Sequence, residues 1–159
     1  MKSYLRGALV AIALKSFSDY LNKFNQLKVP SGSFGVPRSA MPQVDQQHLQ
    51  GFLRWLEAQG VKIQRKQVRA DDIKLYQNEF NKNKVLSLIK DGPNRKGHPL
   101  ILSSDLYVLD GSHRAIAGMN SNAYMKMDAI VLDKPAMMAL NLMRTFTYAR
   151  FRNVSGAEV

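Results

Sequence analysis

The chain has 159 residues, 45% of them hydrophobic and 22% charged, enough for one compact domain with its own core. It contains no cysteine, which excludes disulfides, thiolate metal ligands and thiol catalysis, and which suits the cytoplasm. Lysine and arginine outnumber the acids 23 to 12, for a net charge of +11 and a pI near 10.0, so the partners it favours are anionic: nucleic acid, nucleotides or an acidic membrane surface.

Near the N-terminus, Lys2 and Arg6 precede an apolar run over 8–14 that imitates a short signal peptide. Lys15 interrupts it, no small-x-small cleavage site follows, and the run is too short to span a bilayer. Val10, Leu14, Phe17, Leu21 and Phe24 recur at three- and four-residue steps, which predicts an amphipathic helix over 3–24. Segment 1–27 is thus an added helix that packs on the domain or on a partner. Residues 28–44 carry Pro30, Gly32, Gly35, Pro37 and Pro42 and read as a linker. The stretch from Pro37 to Gln43 is placed to wrap the domain or meet a partner, so 1–44 is the expected protein-contacting region.

Residues 45–150 form the predicted domain, with 151–159 as a tail. Asp45 is positioned to cap a helix over 46–59, whose apolar face is Leu49, Phe52, Leu53 and Leu56 and which Gly60 ends. Trp55 falls at the edge of that face and reads as core or interface. Residues 61–68 alternate apolar and polar, a half-buried strand with Lys62 and Lys66 on its wet side. A helical stretch is predicted from Asp71 or Asp72 to about residue 90, stopped by Asp91-Gly92-Pro93-Asn94. On it, Gln77, Asn81 and Lys84 stand at i, i+4 and i+7 and would share one face. Strands follow at 99–102 and 106–109, joined by a turn at Ser103-Ser104-Asp105, then a helix from 113 and a strand over 124–131. Pro135 opens a last helix to about 147, with Met138, Leu142 and Phe146 as its core stripe. The class is α+β.

The segment Leu106–Gly118, L-Y-V-L-D-G-S-H-R-A-I-A-G, runs a strand through a short loop into a helix. A helix N-terminus presents unpaired N–H groups and a positive dipole end, and so holds phosphate. Gly111 permits close backbone approach or positive φ. Ser112 can cap the helix or donate to an oxygen, and Arg114 can grip phosphate bidentately. His113 can donate a hydrogen bond or carry a proton, and Asp110 can orient its neighbours, act as a base or help hold magnesium. Each also has a plain role: Asp110 and Ser112 as caps, His113 as a buried structural histidine, Arg114 as the partner of a surface acid.

The run V-L-D-G-S-H-R-A-I-A resembles the signature of the ParB/sulfiredoxin superfamily, over about residues 99–132. The resemblance implies a small mixed sheet with flanking helices, to which this chain adds its N-terminal helix. It also implies that a D-G-x-H-R loop binds a nucleotide phosphate or related anion. Members include CTP-binding partitioning proteins, ATP-using sulfiredoxins, free-serine kinases and proposed nucleases. Gly111, Ser112, His113 and Arg114 match the phosphate loop. Sulfiredoxins carry their reactive cysteine where Ser112 stands, so sulfinic-acid reduction is not expected. The catalytic Glu of the kinases has no match here. The 27 residues after residue 132 are too few for a DNA-binding helix-turn-helix module, so centromere clamping is not expected either. The chain looks like the compact stand-alone members found in phages and plasmids.

The expectation is a protein that binds nucleotide or nucleic-acid phosphate at 110–114 and acts as an NTPase or DNA nuclease. Asp110 and His113 would be catalytic, Gly111, Ser112, Arg114 and Lys84 would hold phosphate, and Gln77 and Asn81 would line the pocket. A nucleoside triphosphate and Mg2+ are the cofactors this implies. The alternatives are a non-catalytic DNA- or protein-binding module, such as a phage structural or host-takeover protein, and a small-molecule kinase. His48, His98 and His113 lack metal-ligand spacing, and no P-loop, dinucleotide-binding or nucleophile-elbow motif is present.

Overall fold

The computed structural model describes residues 27–95 and 97–158. The helix expected over 3–24 lies outside the described residues. The rest is an α+β fold, as its alternation of strand and helix patterns predicts: one five-stranded mixed sheet with helices against both faces. The strands are β1 (Ile63–Arg69), β2 (Lys74–Leu75), β3 (Leu100–Leu102), β4 (Tyr107–Asp110) and β5 (Lys126–Leu132), in the spatial order β1-β5-β3-β4-β2. Antiparallel pairing joins β1 to β5 and β3 to β4, and parallel pairing joins β5 to β3 and β4 to β2.

Side chains alternate across the sheet with period two, which divides the core into two layers. Leu100, Leu102, Val108, Met127, Ala129 and Val131 face one layer, closed by α2 (Lys82–Asp91) and α3 (Ser112–Ser121). Ile101, Leu109, Ile130 and Leu132 face the other, closed by α1 (Leu49–Ala58) and α4 (Ala136–Met143). Central β3 is buried on both faces, hence its unbroken apolar sequence. Outer β1 buries only Val68 and leaves Lys66 in solvent, which discourages pairing with another edge. In α1, Leu49, Phe52, Leu53 and Leu56 are buried, and Trp55 packs at the margin against Phe52 and Phe146.

Several sequence expectations are corrected. The stretch from 71 to 90 is not one helix. A 3-10 turn over Ala70–Asp72 leads into β2, residues 76–81 are irregular, and only Lys82–Asp91 is helical. Ile73 and Leu75 are spaced at the strand period, and parallel pairing of β2 with β4 overrides the weak helical preference of Tyr76, Gln77 and Asn78. Gln77, Asn81 and Lys84 therefore do not share a helical face. Helix α4 ends at Met143 rather than near 147; of its expected stripe Phe146 is buried just beyond the helix and Leu142 packs against the core, but Met138 is 57% exposed, and Ala139, Leu140 and Met143 are buried instead. Asp45 precedes a 3-10 turn over Gln46–His48 but makes no side-chain cap; its carboxylate pairs with Arg150 at 2.7 Å and with Arg152 at 3.7 Å.

The expected linker is a strap that belongs to the fold. Leu75 N donates to Ser31 O at 3.1 Å, Phe34 N to Tyr76 O at 3.0 Å and Asn78 N to Val36 O at 2.8 Å. The strap supplies backbone partners that the outer side of β2 and its extension would otherwise lack. Met41 then enters the core at 1% exposure, and Gln43 pairs reciprocally with Arg150 at 2.8 Å. Strap and tail are thus stitched together beside the end of β4.

Candidate functional site

Strand β4 delivers Asp110 to the edge of the core, and the chain turns at Gly111 with φ +103°. A Cβ at Gly111 would lie 2.5 Å from Leu100 Cδ2 and 2.9 Å from Arg114 Nη2, so both backbone conformation and space demand glycine. Gly111 is the cap residue of α3 and offers it no side chain, which leaves the positive end of the helix in the loop. Ser112 does not cap either; its Oγ donates to Gln77 Oε1 at 3.1 Å.

His113 Nε2 accepts from the Asn81 backbone N–H at 2.9 Å, which places the imidazole proton on Nδ1. Burial, reinforced by Lys84 and Arg38, pushes its pKa down to about 3, so the ring is neutral near pH 7. Asp110 Oδ2 accepts from Val44 N at 3.0 Å. Burial raises the Asp110 pKa, against the opposing pull of the Val44 N–H, Arg114 and Arg38. The Arg114 guanidinium donates to His98 O, and burial lowers its pKa despite Asp110. The Lys84 pKa is lowered by desolvation and then by Arg38, Arg152 and Arg114.

These groups surround a cleft of about 160 Å³ lined by residues 110–114, Arg38, Lys84, Arg95, Gln43 and Gln77. A second cavity of about 190 Å³ shares Arg38, Gln43, Lys84 and His113 with it and is walled by Arg152 and residues 153–156. Arg38 is only 9% exposed, yet among the described residues its guanidinium has no hydrogen bond and no ion pair; Asp110 acts on it only through space. Its backbone N–H donates to Glu79 Oε1 at 3.0 Å, which pins the strap there. Arg38 thus adds a positive charge, with no acid in contact, to the lining of both cavities.

Of the residues singled out in the sequence, Asp110, Gly111, Ser112, His113, Arg114, Lys84 and Gln77 all line the one cleft. Asn81 stands behind it. Its side chain accepts from Lys84 N at 3.0 Å, capping α2, and donates to Val154 O at 3.3 Å, while its backbone fixes His113. Sequence reasoning missed Arg38, Gln43, Arg95 and Arg152 as cleft residues. The one available signal was a lone arginine between Pro37 and Pro42, where a stiff loop holds whatever side chain it carries.

Comparisons with protein-family models, curated proteins and solved structures find no match to this chain. The ParB/sulfiredoxin resemblance rests on the residues of the loop.

Among the described residues no group of three or more His, Asp or Glu is placed to hold a metal ion. Asp110, a single carboxylate with Arg38, Lys84 and Arg114 in electrostatic range, does not fit a resident divalent cation. Among the same residues no helix is long and apolar enough to cross a membrane.

Proposed function

We propose that this cleft binds a phosphate-bearing ligand, a nucleotide or a nucleic-acid phosphate, and that the protein hydrolyses it as an NTPase or nuclease. The Arg38 side chain, unpartnered among the described residues, carries this reading, because it lines a cleft whose other charges are nearly all positive. A phosphate there would neutralise Arg38, Lys84 and Arg114 together and meet the N-terminus of α3. The likeness of the D-G-S-H-R loop to the phosphate loop of ParB/sulfiredoxin proteins supports the same reading.

The roles then divide. Gly111 lets the ligand approach the backbone, and Arg114, Lys84 and Arg38 supply charge. His113 stays neutral and donates through Nδ1 to a phosphate oxygen, because a pKa near 3 unfits it to carry a proton at pH 7. Asp110, with its raised pKa, is the group able to take a proton from an attacking water.

A second reading, binding without catalysis, draws on a specific observation: Asp110 and His113 are both held in structural hydrogen bonds, to Val44 N and Asn81 N. Titration with ATP, ADP, CTP and GTP, with and without magnesium, beside Arg114→Ala, tests the site. The expected result is saturable binding that the variant loses. Binding that survives in Arg114→Ala would remove the loop from the site. Release of inorganic phosphate or cleavage of DNA by the parent, abolished in Asp110→Asn, would decide for hydrolysis over binding alone.

A further inference from the structure

The phosphate loop accounts for only one side of the cleft. The second cavity opens from the same four side chains, Arg38, Gln43, Lys84 and His113, but its far wall is the C-terminal segment around Arg152. That segment is folded into place. Arg150 pairs with Gln43 through the backbone and with Asp45 and Glu158 through its guanidinium, Arg152 forms a backbone β-bridge with Glu158 while its guanidinium lies 3.7 Å from Asp45, and Asn153 N donates to Ala157 O at 2.9 Å. Val154 O is tied to Asn81, the residue that fixes His113.

At the junction, Gln43 Oε1 accepts from Arg152 Nη1 at 3.3 Å. The opposite end of that amide, Nε2, is buried and has no hydrogen-bond partner among the described residues. A buried donor without an acceptor is costly, and Gln43 lines both cavities. A buried unsatisfied donor, Gln43 Nε2, and the Arg38 guanidinium, which has no hydrogen bond or ion pair among the described residues, both belong to the wall that the two cavities share. Size gives the same answer. Cavities of about 160 and 190 Å³ are each below the roughly 300–1,000 Å³ of a small-molecule site, whereas joined they reach it.

We infer that the tail supplies a second anion subsite through Arg152, with Gln43 and Arg38 at the boundary, and that the ligand carries two neighbouring phosphate groups, one per subsite. This rests on the phosphate-binding reading above and extends it from a single phosphate to a pair. The pair is either the polyphosphate chain of a nucleotide or successive phosphates of a nucleic-acid strand.

The test uses the full chain with orthophosphate and tripolyphosphate as probes, by calorimetry at fixed ionic strength. Tripolyphosphate should bind at least about tenfold more tightly than orthophosphate, as one further charge-assisted contact implies. In Arg152→Gln that ratio should collapse towards one. Trypsin cleavage after Arg150 and Arg152 in the parent should slow in tripolyphosphate and not in orthophosphate, a readout that stands even if the variant folds poorly. ADP beside a 5′-phosphorylated dinucleotide then separates the two sources, and tighter binding of either names it. Equal affinity of the parent for the two inorganic anions, or a ratio unchanged in Arg152→Gln, would overturn the second subsite while leaving the first. If neither anion binds the parent, or Arg114→Ala binds both as well as the parent, the phosphate reading falls and this inference with it.

Discussion

At Gly111 two demands coincide, since φ is +103° and any Cβ would meet Leu100 and Arg114. Gly111→Ala should therefore cost about 1–3 kcal/mol of stability and weaken phosphate binding by displacing Arg114. Chemical unfolding and nucleotide titration of one sample would check both. His113 makes a pH prediction. Its folded pKa of about 3 lies below the ordinary 6.5, so between those values the unfolded chain binds the extra proton. The stability it contributes is full above pH 6.5 and is lost as pH falls towards 3, by at most about 1.4 kcal/mol per pH unit. Asp110 works in the opposite sense, because its raised pKa means that the stability it contributes is lost as pH rises through the folded value. Urea unfolding at pH 4.5 and 7 should show a smaller acid loss in His113→Gln than in the parent; equal losses would mean that the imidazole is not desolvated. Asp110→Asn replaces the one acid lining the cleft with a neutral amide and should tighten tripolyphosphate binding while it abolishes hydrolysis.

Among the elements, α2 depends on a residue that also serves the site. Asn81 caps it, and Asn81→Ala should cost about 0.5–2 kcal/mol by thermal or chemical unfolding. Helix α4 tests the packing phase. Met143→Ala should cost about 2–5 kcal/mol, and Met138→Glu should stay within about 0.5 kcal/mol, the reverse of what the sequence stripe implies. That error has a physical source: α4 is apolar nearly all round, so periodicity cannot choose which side faces the sheet. Helices α1 and α3, the strands β1, β3, β4 and β5, and the loop 110–114 were legible, because an alternating pattern or a glycine-bounded turn marks each. Strand β2 was not, since two residues have no period of their own and are fixed only by β4. For the cleft, the contiguous part could be read and the rest could not. Arg38, Gln43 and Arg152 reach it from a strap and a tail that are positioned by backbone hydrogen bonds to distant segments, which leave no local trace.

Among the described residues, five of the molecule's 23 basic side chains gather around the two cavities. Arg38, Lys84, Arg95, Arg114 and Arg152 surround the joined cavities, five cations with Asp110 as the acid among their lining residues. If single-stranded DNA is gripped there alone, the slope of log affinity against log salt should not exceed roughly 3.5, at about 0.7 per phosphate contact. A steeper slope would show that charge beyond the cleft takes part, with Arg65, Lys66 and Arg69 on β1 the nearest explanation by composition.

The pairing of Gln43 with Arg150 has a consequence for synthesis. The sheet and the 110–114 loop are complete once residue 132 has been made, but the wall carrying Arg152 follows later and must close on a strap made more than a hundred residues earlier. At that point α4, which closes one layer of the core, is still missing as well. Any insertion close behind Gly156 would lie beside the second cavity, which Gly156 itself helps to line.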